Sequence, residues 1–437
     1  MAIPPGHEPA VEPQPTSAWV RVSAVPCVDG LAGDFHCMAV DLLAYVPLDD
    51  MGCGNRGNDL WGWTDPVTGT EYALMGCNNG TSFLDLSDPV APIFIGHLPT
   101  HTGNSPWRDI KVHSDHAYIV SEASGHGLQV FDLNQLRAVT SPPVQFQSTA
   151  HLATFNMAHN IAINEESGFA YVVGADDCGG GLYMVDINDP VVPLFAGCFR
   201  ADGYTHDTQC VIYRGPDTRY QGAEICFNAN PDTNSPDNTL TIVEVTDKKS
   251  PQILGRQGYA GSGFAHQGWL TEDHRYFLLG DELDERGFAH NTRTIIWDVG
   301  NLEAPVVIGH FFSTEEAIDH NLYVRGNHVY QANYTAGLRI LDLTNIATAE
   351  LVEVAFFDVF PDPDAHSANL QADAGIQHDE EGLEFSGAWS NYPFFDSGIV
   401  IVSSIGSAGE PGGLFVLQPH ITAEDPGLIF HDRFEAE

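Results

Sequence analysis

The sequence predicts an all-β chain, a seven-bladed β-propeller of four-stranded antiparallel blades. Three observations carry this: a short strand signature recurs along the chain, further strand-like stretches surround each copy, and amphipathic helical periodicity is almost absent. The signature is a small residue or Gly, alternating apolar positions, then an acidic-apolar pair. It occurs at residues 80–86 (GTSFLDL), 127–133 (GLQVFDL), 181–187 (GLYMVDI), 240–245 (LTIVEV), 294–299 (TIIWDV), 337–343 (GLRILDL) and 413–417 (GLFVL).

Copies are spaced by roughly 44 to 76 residues, enough for a four-stranded blade. Two strand-like stretches precede each, as at 109–112 and 117–120. Turns such as 87–89 (SDP) and 188–190 (NDP) follow, and then a short apolar stretch such as 92–95. Chain length alone suggests two or three domains, but a radial repeat makes residues 30–418 one domain. Residues 1–29 form a Pro-rich leader and 419–437 a C-terminal tail. An N-terminal strand completing the last blade is the expected closure, because it removes free sheet edges.

Of 437 residues, 59 are Asp or Glu and 17 are Lys or Arg, a formal net charge of −42. Such a field repels phosphate backbones and anionic membrane surfaces, so a nucleic-acid partner is excluded. It suits a secreted or surface protein in a salty or divalent-rich medium. No apolar run approaches the ~20 residues that span a bilayer, so no membrane insertion is expected. The start, Met1-Ala2-Ile3-Pro4-Pro5, lacks a basic segment followed by an apolar run, so a secretion signal is expected to have been removed. Eight cysteines, none in a CxxC pair, fit four disulfides between sequence neighbours in an oxidising compartment. All lie before residue 230, leaving the second half to packing alone.

Aligning the first strand of each repeat gives two columns. One reads Asn58, Arg108, His159, His206, His266 and His320. The next reads Asp59, Asp109, Asn160, Asp207, Gln267 and Asn321. For blade seven, Phe385-Ser386 or Glu384 are the expected equivalents. Inner-strand positions converge on the propeller axis, so residues about 50 apart in sequence meet there. If the histidines point inward, neutral imidazoles bind copper, zinc, iron or manganese, and neighbouring carboxylates and amides fix the ring tautomers. Arg108 in that ring favours an anion. If the second column points inward, its carboxylates and amides make an oxygen cage suited to calcium. The competing reading is structural: a polar residue at this strand start hydrogen-bonds the neighbouring blade and needs no ligand.

Asp232, Asn234 and Asp237 have oxygen spacing that hints at a calcium loop, against an ordinary solvated turn. The acidic stretch 281–285 (DELDE), and Asp362 and Asp364 near His366, read as surface loops. No GxSxG, HExxH, Walker or GxGxxG motif occurs in its required context. The leading expectation is a metal-binding propeller that presents a face to a cell-surface or glycan partner. Alternatives are a metal-dependent enzyme and an adhesion scaffold without a small ligand. The enzyme would be a copper-type oxidase, or a lyase on acidic polysaccharide built from His206, Tyr204 and Arg108.

Residues 203–210 (GYTHDTQC), 266–274 (HQGWLTEDH), 319–324 (DHNLYV) and 387–395 (GAWSNYPFF) resemble the bacterial choice-of-anchor B family, whose members carry LVIVD-type propeller repeats. The resemblance implies a secreted or surface-displayed propeller with varied C-terminal sorting tails, and brings no settled activity. Residues 427–435 (GLIFHDRFE) look like a short tail of exported proteins, against a frayed acidic end.

Overall fold

The structure, a computed structural model, describes residues 22–231, 238–359, 385–406 and 412–421. The Asp232–Asp237 loop, Asp362, Asp364, His366, Glu384, the leader before residue 22 and the tail after residue 421 lie outside these. Seven sheets, antiparallel but for the short strand Val144–Gln145 that runs parallel beside Ile93–Pro99 of blade one, follow one another in sequence order. Their inner strands are Gly57–Thr64, Arg108–His113, Asn160–Asn164, Asp207–Ile212, Ala265–Leu270, Leu322–Arg325 and Ala388–Tyr392. Each is the edge of its sheet and packs against the inner strands on either side, which closes a ring.

The recurrent signature is the third strand of every blade, and its chemistry is visible in place. The leading glycine lies against the outer strand's backbone. A Cβ on Gly127 would sit 2.3 Å from the Leu152 carbonyl oxygen, and one on Gly337 2.3 Å from that of Phe357. Both also hold a positive φ that other residues adopt only with strain. The trailing acid turns the chain by accepting an amide two residues on: Asp85 from Ser87 at 2.7 Å, Asp186 from Asn188 at 3.0 Å and Asp342 from Thr344 at 2.6 Å. Between these ends the apolar positions fill the space between blades. Phe83, Phe131 and Phe146 meet at 4.8–5.6 Å between blades one and two.

Closure is made by Val40–Pro47, which pairs along Gly413–Pro419 as the outer strand of blade seven. Val22–Val25 adds a further strand beside it. Phe35–Met38 extends blade six through Phe357 and Phe356. The four disulfides join sequence neighbours: Cys27–Cys37, Cys53–Cys77, Cys178–Cys198 and Cys210–Cys226. Among the described residues no helix is long and apolar enough to cross a membrane.

A histidine arc at the candidate metal centre

The two columns sit at one end of the inner strands, and in several blades the backbone is irregular there. Register shifts fall at Gly57/Leu60, Ala265/Gly268 and Ala388/Ser390, spanning Asn58–Asp59, His266–Gln267 and Trp389. A bulge breaks strict alternation and re-aims side chains, so adjacent residues here serve different neighbours. It also moves blade seven's contribution from the expected Phe385-Ser386 to Trp389 and Ser390.

The histidines meet. Ring centroids are 4.4 Å apart for His159–His206, 4.2 Å for His206–His266, 4.3 Å for His266–His320 and 4.5 Å for His320–Trp389. His206 Nδ1 donates to the His266 carbonyl at 2.8 Å, and His320 Nδ1 to the Trp389 carbonyl at 2.5 Å. His159 Nδ1 faces Glu122 Oε1 at 2.6 Å. A carbonyl only accepts, so in His206 and His320 the proton resides on Nδ1 and Nε2 keeps its lone pair. Burial, then repulsion among the rings, holds His206 and His266 well below the usual histidine range. Burial brings His320 to about 3. These rings are neutral at pH 7, as ligation requires.

A carboxylate joins the arc from outside either column. Glu282 follows the second strand of blade five, Tyr276–Asp281, and its Oε2 reaches 3.8 Å from His266 Nε2. Its Oε1 accepts the Tyr334 hydroxyl at 2.6 Å. Burial pushes Glu282 up to about 7 against that hydrogen bond. Ligand atoms of His266, Glu282 and His320 all lie within 4.8 Å of one another. Ligands on opposite sides of an ion at about 2.0–2.2 Å stand about 4.0–4.4 Å apart, so a contraction of a few tenths of an ångström or more brings the set onto one transition metal.

Arg108 and Asn58 occupy the same column but serve the blades. Arg108 Nε donates to the Cys77 carbonyl at 3.1 Å and Nη1 meets His126 Nε2 at 3.0 Å, while Asn58 Nδ2 donates to the Pro106 carbonyl at 3.3 Å. Burial brings Arg108 down to about 10. Of the trio His206, Tyr204 and Arg108, the first two stand with rings 6.4 Å apart, and the guanidinium turns to Cys77 and His126.

The second column clips blades together. Asp59 accepts the Ile110 amide at 3.2 Å, Asp109 that of Ile161 at 2.7 Å, and Gln267 bonds both backbone groups of Leu322. Asn160 donates to the His206 carbonyl at 3.1 Å, and Asn321 to Ser390 Oγ at 3.4 Å. Cationic charge among the acids is supplied by Lys111, 2.6 Å from Asp109 and 3.3 Å from Asp59. Burial raises Asp109, but Lys111 outweighs it and holds the carboxyl low, whereas burial keeps Asp59 high. Asp207 accepts the Thr208 amide at 2.6 Å and rises to about 7 through burial and the nearby Asp109. Next to this layer a cavity of about 400 Å³ opens, walled by Trp61, Trp269, Tyr323, Tyr392 and Phe394.

Glu282, Tyr334 and Trp389 are absent from the sequence columns. The stretch 281–285, expected as a surface loop, is a correction: Asp281, Asp284 and Glu285 are 0% exposed. Charge pattern alone does not reveal burial, and the compensating Arg293 lies in the next strand.

The fold and this hub define a seven-bladed propeller with a polar centre. Residues 157–200 match the LVIVD repeat. No curated protein matches it. Among solved structures it is similar to the β-propeller domain of Cps50 (Swd1) from Myceliophteria thermophila, at 11% identity and TM-score 0.49, covering 82% of this chain and 96% of that one. It is similar to U3-55K at 9% identity and TM-score 0.48, covering 83% and 95%. A protein from Desulfotomaculum acetoxidans follows at 10% identity and TM-score 0.47, covering 68% and 85%. The fold assignment stands on the sheets themselves.

Proposed function

We propose that this propeller binds one divalent transition metal, copper, zinc, iron or manganese, at the hub through His266, His320 and Glu282. His206 and His159 continue the arc as further ligands or as bases. The observation that carries this is the gathering of two neutral imidazoles and a half-buried carboxylate within 4.8 Å. Tyr334 fixes the carboxylate, and backbone carbonyls fix the His320 and His206 rings, which is how outer-shell partners orient ligands. The setting is a secreted or surface-displayed protein of the choice-of-anchor B kind, with one face free for a cell-surface or glycan partner. Four disulfides and the acidic surface support that setting.

Elemental analysis of protein purified without a metal-affinity step tests the reading. One equivalent of transition metal per chain is expected, lost when His266→Ala and His320→Ala are combined. No stoichiometric metal, together with a melting temperature indifferent to chelator, would sink it.

A further inference from the structure

Behind the hub, the short helix Asp284–Phe288 and the strand Arg293–Asp298 enclose a second polar cluster in blade five. Asp281, Asp284 and Glu285 are 0% exposed there, and Asp319 is 3% exposed. Four acids are thus taken out of water, and their contacts leave an excess. The Asp281 carboxylate is satisfied, accepting the Tyr259 hydroxyl at 2.6 Å and the amides of Gly263 and Phe264 at 2.8 and 2.5 Å. Arg293 is the facing guanidinium. Its Nε donates to Asp284 Oδ2 at 2.7 Å, and its amide donates to Glu285 Oε1 at 3.2 Å.

What remains is three buried carboxylate oxygens, Asp284 Oδ1, Glu285 Oε2 and Asp319 Oδ1, with no hydrogen-bond donor among the described residues. Unpaired buried acceptors cost free energy, and uncompensated buried charge costs more. Ligand atoms of Asp284, Glu285 and His290 lie within 4.8 Å of one another, and His290 Nε2 is 3.9 Å from Asp284 Oδ1. Twice a Ca–O bond of about 2.4 Å is about 4.8 Å, so one ion reaches all three groups. Room for Asp319 is built into the backbone: its Oδ2 would stand 2.0 Å from a Cβ on residue 280, which is glycine. Burial above all, then the nearby Asp319 and Asp284 carboxyls, raises Glu285, so these acids feel one another.

We propose that Asp284, Glu285 and His290, with Asp319 beside them, hold a hard divalent cation, calcium or manganese, separate from the hub metal. An oxygen-dominated set with one imidazole at its edge suits hard ions over copper. The ion ties the Asp284–Phe288 segment to residue 319 at the entry to blade six. It thereby supplies charge that one guanidinium cannot.

The test uses the full chain stripped with EDTA, then dialysed to equilibrium against calcium or manganese chloride. To keep the hub out of the readout, the His266→Ala/His320→Ala variant is measured in parallel. One equivalent of calcium per chain is expected in both proteins, and with manganese one equivalent in the His266→Ala/His320→Ala variant and a second, at the hub, in the wild type, with a higher melting temperature on adding the ion. Glu285→Gln and Asp319→Asn, which add no volume, should each weaken binding at least tenfold. Three results would overturn the proposal: no calcium or manganese bound by the wild-type chain, binding lost with the hub histidines, or binding unchanged in Glu285→Gln. The first would mean that Glu285 carries a proton shared with Asp284.

Discussion

Blades one, three and four are each cross-linked by a disulfide, whereas the chain after residue 230 has no cysteine and relies on buried ion pairs of the kind Lys111 also makes in blade two. In blade five Arg293 meets Asp284. In blade six the 4% exposed Arg339 lies 3.6 Å from Glu353 and stacks 4.4 Å over Phe356. The two devices act on different states. A disulfide works mainly by restricting the unfolded chain, so its benefit is indifferent to the acidity of its surroundings. A buried ion pair adds little net stability when intact and is costly when one partner is removed. Blades one, three and four are therefore sensitive to reductant, and the buried pairs of blades two, five and six to charge.

The strongest way to break this contrast is Arg293→Met, which strands Asp284 and Glu285 without their guanidinium. A loss of about 3–5 kcal/mol in urea unfolding is expected. A loss below 1 kcal/mol would show that the cluster does not depend on its arginine. Next comes the paired change Cys210→Ala/Cys226→Ala, which opens a link with a sequence separation of 16 and should cost about 3 kcal/mol. Hydrogen exchange should place the loosening in blade four and leave blades five and six protected; uniform loosening would erase the distinction between halves.

Blade two has no disulfide, and its buried Arg108 contacts a neutral histidine. His126 is 0% exposed and is pushed down to about 3 by burial and by Arg108, with His101 and His151 also near it. Its folded value lies below the unfolded 6.5, so the unfolded chain binds the extra proton first. Stability is then full above about pH 6.5 and falls as pH drops from there toward 3, by about 1 kcal/mol over the first unit. Denaturation midpoints from pH 7.5 to 4.5 should show a shallower fall for His126→Gln. Parallel profiles for the two proteins would remove His126 from the account.

The ring of blades was legible because every turn of the repeat places the same demand on the chain. In most blades a glycine passes under the outer-strand carbonyl and an acid turns the chain after the apolar run, so Gly127, Gly337, Asp186 and Asp342 stand at equivalent positions. The histidines were legible for the same reason. Glu282 was not, since it lies in a loop between strands, outside the repeating register, and its neighbours look like a solvated acidic run. Blade seven's Trp389 was hidden by the shift between Ala388 and Ser390, which displaces the alignment. Burial of residues 281–285 depends on Arg293 and on Gly280, two positions whose relevance appears only when the strands are side by side.

The closing strands also settle how the molecule bears a pull on its ends. Val40 pairs with Pro419 and Pro47 with Gly413, so tension between residues 40 and 419 would act at one end of that ladder and peel it pair by pair, as a zipper opens. The strand Val22–Val25 changes this. It runs antiparallel along Val40–Pro47, with Val22 beside Tyr45 and Val25 beside Leu42. A load entering at Val22 arrives at the opposite end from Pro419 and drags the strand along its axis, so its backbone hydrogen bonds are strained together. The short N-terminal strand thus turns a zipper into a lap joint.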